Sequence, residues 1–225
     1  MFVHLHVHSH FSFKDATPSP LQLAQRAKDL GMSALAITDH NTLAGAIRFY
    51  QACLRHDVKP IIGCEITLDT GHHLVLLAMN IAGYSNLCRL VTAMYLANPS
   101  KKTEASLALV EEHSRDLICL TACAQPQAIT HAFLTNLKGI FFDRLYVELE
   151  NHRTQESPRL LRQLAQLAQE LELPLVATNN VHFLSPADHR CRDILVAMGS
   201  LTPCIPCASM KTTTGSSISH TVRTY

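Results

Sequence analysis

The chain has 225 residues, 47% of them hydrophobic, and a formal net charge of +1 with histidine neutral. That length and apolar content suit one large packed domain or two small ones, and the near-neutral balance excludes a global electrostatic pull toward nucleic acid or membrane. No apolar run is long enough to span a bilayer, and a chain that turns polar at its fourth residue is not expected to carry a secretory leader. Eight cysteines without such a leader predict reduced thiols and a cytoplasmic protein. Histidine is the oddity: 14 in a chain that has not collected charge point weakly to metal binding.

Phe2–His8 alternates, with Val3, Leu5 and Val7 on one face and His4, His6 and His8 on the other, which predicts a strand. "PSPLQLAQRAKDLG" follows as a helix, with Ser19 as N-cap, Pro20 at the first helical position and Gly31 as the stop. "ALAIT" (34–38) predicts a short buried strand. Thr42–His56 predicts a helix with Leu43, Ala46, Ile47, Tyr50 and Leu54 at helical spacing. "KPIIGCEITL" and "HLVLLAM" predict two strands, joined as a hairpin between 60–67 and 72–79. Helices are expected over 83–96, 103–113 and 126–138, with the strand "DLICLTA" before the last. "RLYVELE" predicts another strand. Ser157 and Pro158 then open a helix with Leu160, Leu161, Leu164, Leu167, Ala168 and Leu171 on one stripe. "LPLVATN" is a strand and Pro186–Met198 a helix. About seven strands, most followed by helices, predict an α/β fold with a largely parallel sheet, closer to a barrel than to a small open sheet. Residues 1–200 are expected to form the domain. Residues 201–225, rich in Ser and Thr from Lys211 onward, are expected to be a poorly ordered tail, either truncated or out of frame or unrelated to the domain.

In a parallel barrel the active groups sit at the C-terminal rim of the strands. His6 and His8 end the first strand here, Asp39 and His40 the second, and Glu65 lies late in the third. Cys123 follows the fifth, Glu148 and Glu150 lie late in the sixth, and Asn179, Asn180 and His182 follow the seventh. His72 and His73 open the hairpin strand, which reaches the same rim only if it runs the opposite way. Many imidazoles with a few carboxylates suit Zn, Mn or Fe and disfavour the all-oxygen shells of Mg or Ca. More than five such ligands imply more than one ion. Closely spaced ions favour phosphate-ester hydrolysis, because they activate water and neutralise charge on the phosphoryl oxygens.

"HVHSHFSFKD", "ITDH", "GCE", "HHLVLLA", "TAC" and "NNVH", in that order over roughly residues 2–200, resemble the PHP (polymerase and histidinol phosphatase) family. The phrasing looks closest to its polymerase-type members, the N-terminal domains of bacterial DNA polymerase III alpha subunits and their error-prone relatives. The resemblance implies a distorted barrel of about seven strands with a metal site at the C-terminal rim. It implies up to three Zn or Mn ions and phosphoesterase chemistry, in some members 3′–5′ exonuclease activity on DNA ends. It also implies a place beside other replisome subunits. Carried over residue by residue, it makes metal ligands of His6, His8, Asp15, His40, Glu65, His73, Cys123, Asn180 and His182, with His8, Glu65 and His182 catalytic. Asp39 and His72 are expected behind them, His72 also as a substitute for His73. Asn180 departs from the family pattern, which has aspartate there; a neutral amide is a poorer ligand. No palm, thumb or fingers of a polymerase are present in the chain.

Simpler readings stand beside these. His6 and His8 could be a structural pair, Asp39 a helix cap, Asn179–Asn180 a turn, and Cys123 an inert buried thiol. Glu148 and Glu150 read as surface groups or as supports behind the ligands, His4 as core packing or such a support, and His10 as exposed. Cys204 and Cys207 form a CxxC without a second pair. Three functions follow: a metal-dependent phosphoesterase, a degenerate structural or interaction module, or a phosphatase of the histidinol-phosphate type.

Overall fold

A computed structural model describes residues 2–97, 103–122, 129–151, 157–200 and 216–217. Helix α1 (Pro20–Asp29) begins as the sequence predicts: Ser19 and Gln22 cap each other reciprocally, and Gly31 ends the turn at φ +64°. Strand β1 (Ala34–Ile37) is followed by α2 (Ala46–Arg55), then β2 (Lys59–Thr67), β3 (His73–Ala78) and α3 (Ile81–Ala97). Next come α4 (Leu107–Glu112), β4 (Leu117–Leu120), α5 (His131–Phe141), β5 (Leu145–Glu150), α6 (Ser157–Glu170) and β6 (Leu175–Thr178). The chain continues through β7 (Val181–Phe183), a 3₁₀ turn at Pro186–Asp188, α7 (His189–Ser200) and the short β8 (Ser216–Ser217).

Among the described residues, six strands form one curled sheet in the order β1-β2-β3-β4-β5-β6. β3 runs antiparallel to both neighbours and the other pairs are parallel. The predicted hairpin is therefore real, and it sets His73 at the rim where its neighbours end. The N-terminal segment is extended but forms no regular ladder. Ala36 and Thr38 donate backbone hydrogen bonds to the carbonyls of His4 and Val7, while His8 and Val181 exchange bonds with Val181 and His6. The segment thus lies between β1 and β7. β6 closes the other edge of the sheet, and only Asn179 and Asn180 separate it from β7. Three Cα steps cover at most about 11 Å, so the two edges must curl toward each other.

Alternation along the strands sorts the core into two faces. Leu74, Leu76, Cys119, Leu145 and Val147 join the large cluster that also takes in Leu87 and Leu90 of α3, Leu134 and Leu137 of α5, and Leu164 and Ala168 of α6. Ala36, Val75, Leu77, Leu120 and Ala122 form a second cluster with Ile61, Tyr146 and Val176. Glu65 lies opposite Val75, and Glu148 opposite Val176, so these carboxylates share that inner face.

Several expectations change. The helix expected from Thr42 starts only at Ala46. Ala46, Phe49, Ala52 and Cys53 form its buried side, while Ile47, Tyr50 and Leu54 stand outside at 58%, 47% and 59% exposure. The chain before it is committed to the site: a Cβ at Gly45 would lie within about 3 Å of Phe11, Asp39 and Ile37 side-chain atoms. The helix expected over 103–113 is confined to α4, and α5 starts at His131. β7 was not anticipated.

Candidate metal centre

Glu65 is the hub. It is buried, and its Oε2 lies 2.7 Å from His6 Nε2 and 3.1 Å from His8 Nε2. Its Oε1 contacts His73 Nδ1 and lies 3.4 Å from His40 Nδ1. Four imidazoles from the N-terminal segment, the loop after β1 and the start of β3 thus surround one carboxylate. The backbone fixes this meeting point: Glu65 N–H donates to the Asp39 carbonyl and Asn41 N–H to the Glu65 carbonyl. Burial would raise the pKa of Glu65, but the imidazoles, His40 foremost, hold it well below the usual carboxylate range. His40 is itself pushed up to about 10: burial opposes the shift, and the Glu65 and Asp15 carboxylates outweigh it. His8 goes the other way, held well down by burial and by the neighbouring His40 and His182.

Asp15 forms the second wing. Its Oδ2 lies 2.9 Å from His40 Nε2 and 2.8 Å from His182 Nε2. The Arg192 guanidinium donates to its Oδ1 at 2.7 Å and to its carbonyl at 3.0 Å. Burial would raise Asp15, but His182, His40 and Arg192 hold it far below the ordinary value. The His8 ring stacks with both His40 and His182, at centroid distances of 4.2 and 4.5 Å. His182 Nδ1 donates to the Asn180 carbonyl, and that turns Nε2 toward Asp15.

Asp39 does not cap the following helix, whose N-cap is Gly45. Its carboxylate accepts from Ser9 N–H at 2.7 Å, Ser9 Oγ at 2.8 Å and Ser12 Oγ at 2.7 Å. Ser12 Oγ, its proton so engaged, can accept from His8 Nδ1 at 2.9 Å. The proton on Nδ1 leaves His8 Nε2 as a lone pair, and this buried nitrogen has no hydrogen-bond partner among the described residues.

His6, His8, Asp15, His40, Glu65, His73 and His182 therefore meet in one cluster. His72 does not: it stacks on Phe133 at 4.2 Å and its Nδ1 contacts Thr70 Oγ1 at 2.9 Å. Cys123 lies outside the described residues. Asn180 is buried at φ +46°, with its Oδ1 lacking a hydrogen-bond partner among the described residues. Glu148 and Glu150, read from sequence in part as surface groups, are buried against His6 Nδ1 at 3.0 and 3.1 Å. Arg192 was also missed; a lone arginine on an amphipathic helix gives no signal of its own.

Among the described residues, four sets of ligand atoms are each close enough for one ion: His8, His40 and His182; His6, His8 and Glu65; His40, Glu65 and His73; and His6, Glu148 and Glu150. The first three sets share His8, His40 and Glu65 pairwise, and the fourth shares His6 with the second, so ions held there would be neighbours. Imidazole nitrogens with a shared carboxylate fit Zn or Mn better than Mg or Ca. His8 Nε2, 3.1 Å from Glu65 Oε2 but with no hydrogen bond among the described residues, fits the same reading.

Comparison with known proteins agrees with this geometry. The chain is 34% identical over 226 residues to the DNA polymerase III alpha subunit of Treponema pallidum, covering 88% of this chain and 19% of that protein. It is 37% identical over 227 residues to the error-prone DNA polymerase of Symbiobacterium thermophilum, covering 89% and 21%. The chain thus spans about a fifth of the length of these relatives. Its fold matches a protein of Bifidobacterium adolescentis assigned as a metal-dependent phosphoesterase, at TM-score 0.61 and 16% identity, over 80% of this chain and 87% of that one. A lesion-specific endonuclease of Pyrococcus furiosus matches at TM-score 0.51 and 17% identity, over 80% and 48%. The PHP domain profile matches residues 4–171, and with most of the chain so covered, the chain belongs to the PHP domain family.

Proposed function

We propose that the chain is a metal-dependent phosphoesterase acting on phosphodiesters at DNA ends, with a 3′–5′ exonuclease as the specific form, and that Zn or Mn ions, up to three, occupy the cluster. The observation that carries this is Glu65: one buried carboxylate shared between the set with His6 and His8 and the set with His40 and His73. When bound, such ions lower the pKa of a water and neutralise charge on the phosphoryl oxygens. The chain's own residues fix that arrangement. Asp39, through Ser12, sets which nitrogen His8 presents; Arg192 orients Asp15 between His40 and His182; Glu65 holds two sets of ligands at one point. Likeness to replication polymerases supports a DNA substrate, replisome subunits as partners and a cytoplasmic setting.

The test uses purified untagged chain, elemental analysis and a 3′-labelled single-stranded oligonucleotide in Mn²⁺ or Zn²⁺. Two or three ions per chain are expected, with nucleotide release that falls at least ~100-fold in His8→Ala while that variant remains folded. Release of phosphate from histidinol phosphate instead, with DNA untouched, would move the reading to the small-molecule phosphatase class. Asn180 favours a second reading: a neutral amide in the ligand row is what a structural module that has lost catalysis would carry. One ion or none, with no hydrolysis of any phosphate ester, would select it.

A further inference from the structure

Glu148 and Glu150 stand two apart on β5 and so face the same way. That face is inward, and both side chains are buried beneath His6. A ring that offers Nε2 to an ion must carry its proton on Nδ1, and that proton needs an acceptor. For His6, Nε2 is the nitrogen beside Glu65 and Nδ1 the nitrogen beside Glu148, 3.0 Å from Oε1. Glu148 is itself held in place from β6 and from the residue that follows β4. Thr178 Oγ1 donates to its Oε1, and its backbone N–H donates to Thr121 Oγ1 at 3.0 Å. Glu150 lies 3.1 Å from the same nitrogen.

We propose that Glu148 is a positioning residue of the metal centre: it accepts a hydrogen bond from His6 Nδ1–H and thereby aims the Nε2 lone pair at the place beside Glu65. This rests on the metal-centre reading above. Asp39 does the same for His8 through Ser12, so each histidine of the His-x-His pair is set by its own carboxylate. The alternative use of Glu148, as a direct ligand with Glu150 and His6 Nδ1, predicts a different stoichiometry, and the two separate cleanly.

Co²⁺ loading serves as the probe, read by equivalents per chain, affinity in chelator competition and the visible absorption bands. Glu148→Gln keeps an acceptor oxygen, Glu148→Leu removes it, and Thr178→Val removes the hydroxyl that holds it. Full occupancy at saturating Co²⁺ is expected in all three, with shifted absorption bands. Affinity should fall about 10–100-fold in Glu148→Leu and less in Glu148→Gln and Thr178→Val. If Glu148→Leu fails to fold, the Gln and Val variants decide. Unchanged affinity and bands would reduce Glu148 to packing, whatever happens to the melting temperature. Loss of one whole equivalent in Glu148→Gln would make Glu148 a ligand and overturn the proposal. Wild-type chain that binds no Co²⁺ would instead sink the metal-centre reading, a result distinct from either.

Discussion

At the scale of single residues, Asn180 offers the sharpest experiment. Its Oδ1 is buried and lacks a hydrogen-bond partner among the described residues, while its carbonyl orients His182. A carboxylate in its place should act in opposite directions with and without metal. Without metal, Asn180→Asp buries a charge and should destabilise the fold by about 1–3 kcal/mol. With Mn²⁺ or Zn²⁺ the same charge gains a cation, and either affinity or the number of bound ions should rise. Urea unfolding in chelator and in excess metal, with metal counting alongside, measures both signs. A variant that is destabilised equally under both conditions would show that residue 180 does not face the ions. The His-x-His spacing and the order of the acidic and histidine motifs were legible in the sequence, because the family resemblance orders them and the rim rule gathers them at one end, although the strand that period two predicts over Phe2–His8 is extended chain with no regular ladder. Glu148 and Glu150 were not. In "LYVELE" an alternating glutamate reads equally well as a wet outer face or a sealed polar interior, and only the closing of the sheet decides.

At the scale of elements, α2 shows where the amphipathic pattern is ambiguous. Its sequence carries two apolar stripes, Ala46–Phe49–Cys53 and Ile47–Tyr50–Leu54, and the second holds the bulkier set. The structure buries the first. Size alone misleads because small residues let the helix sit close on the sheet and on α1. The loop over residues 39–45 also fixes the helix's rotation through the tight approach at Gly45. The consequence is measurable in chemical denaturation. Phe49→Ala, at a fully buried position, should cost about 3–5 kcal/mol. Ile47→Gln and Leu54→Gln should stay within about 0.5 kcal/mol of the parent, as outward positions do. Large losses in the Gln pair with little change in Phe49→Ala would mean that the helix is rotated from its described position. Strand positions were better predicted than helix starts, since buried apolar runs such as "HLVLLA" admit one reading, whereas α2 and α5 both begin several residues after their patterns do.

At the scale of the whole molecule, the cluster ties together parts of the chain that the hydrophobic core leaves separate. His6 and His8 come from the N-terminal segment, which has no regular ladder of its own; His40 follows β1, Glu65 and His73 come from the hairpin, and His182 from β7. Val7 and Val181 belong to one core cluster, while Cys64, Ile66 and Leu74 of the hairpin belong to another. Ions shared by these residues bind only when all the parts are in place, so their binding free energy becomes folding free energy. Metal at about 1,000 times its dissociation constant should add about 4 kcal/mol. For a domain of this size each kcal/mol moves the melting temperature by about 2–4 °C. Removing metal with a chelator should therefore lower Tm by about 8–16 °C, and adding Zn²⁺ or Mn²⁺ back should restore it. In Glu65→Gln, where the shared carboxylate is gone, the metal-dependent part of the shift should shrink to a small fraction. The test is a pair of circular-dichroism melts per protein, with and without metal. A parent chain whose Tm ignores both chelator and metal would mean that the seven converging side chains are held by their own hydrogen bonds alone. A Glu65→Gln chain that responds as fully as the parent would move the ions away from Glu65, toward the set of His8, His40 and His182.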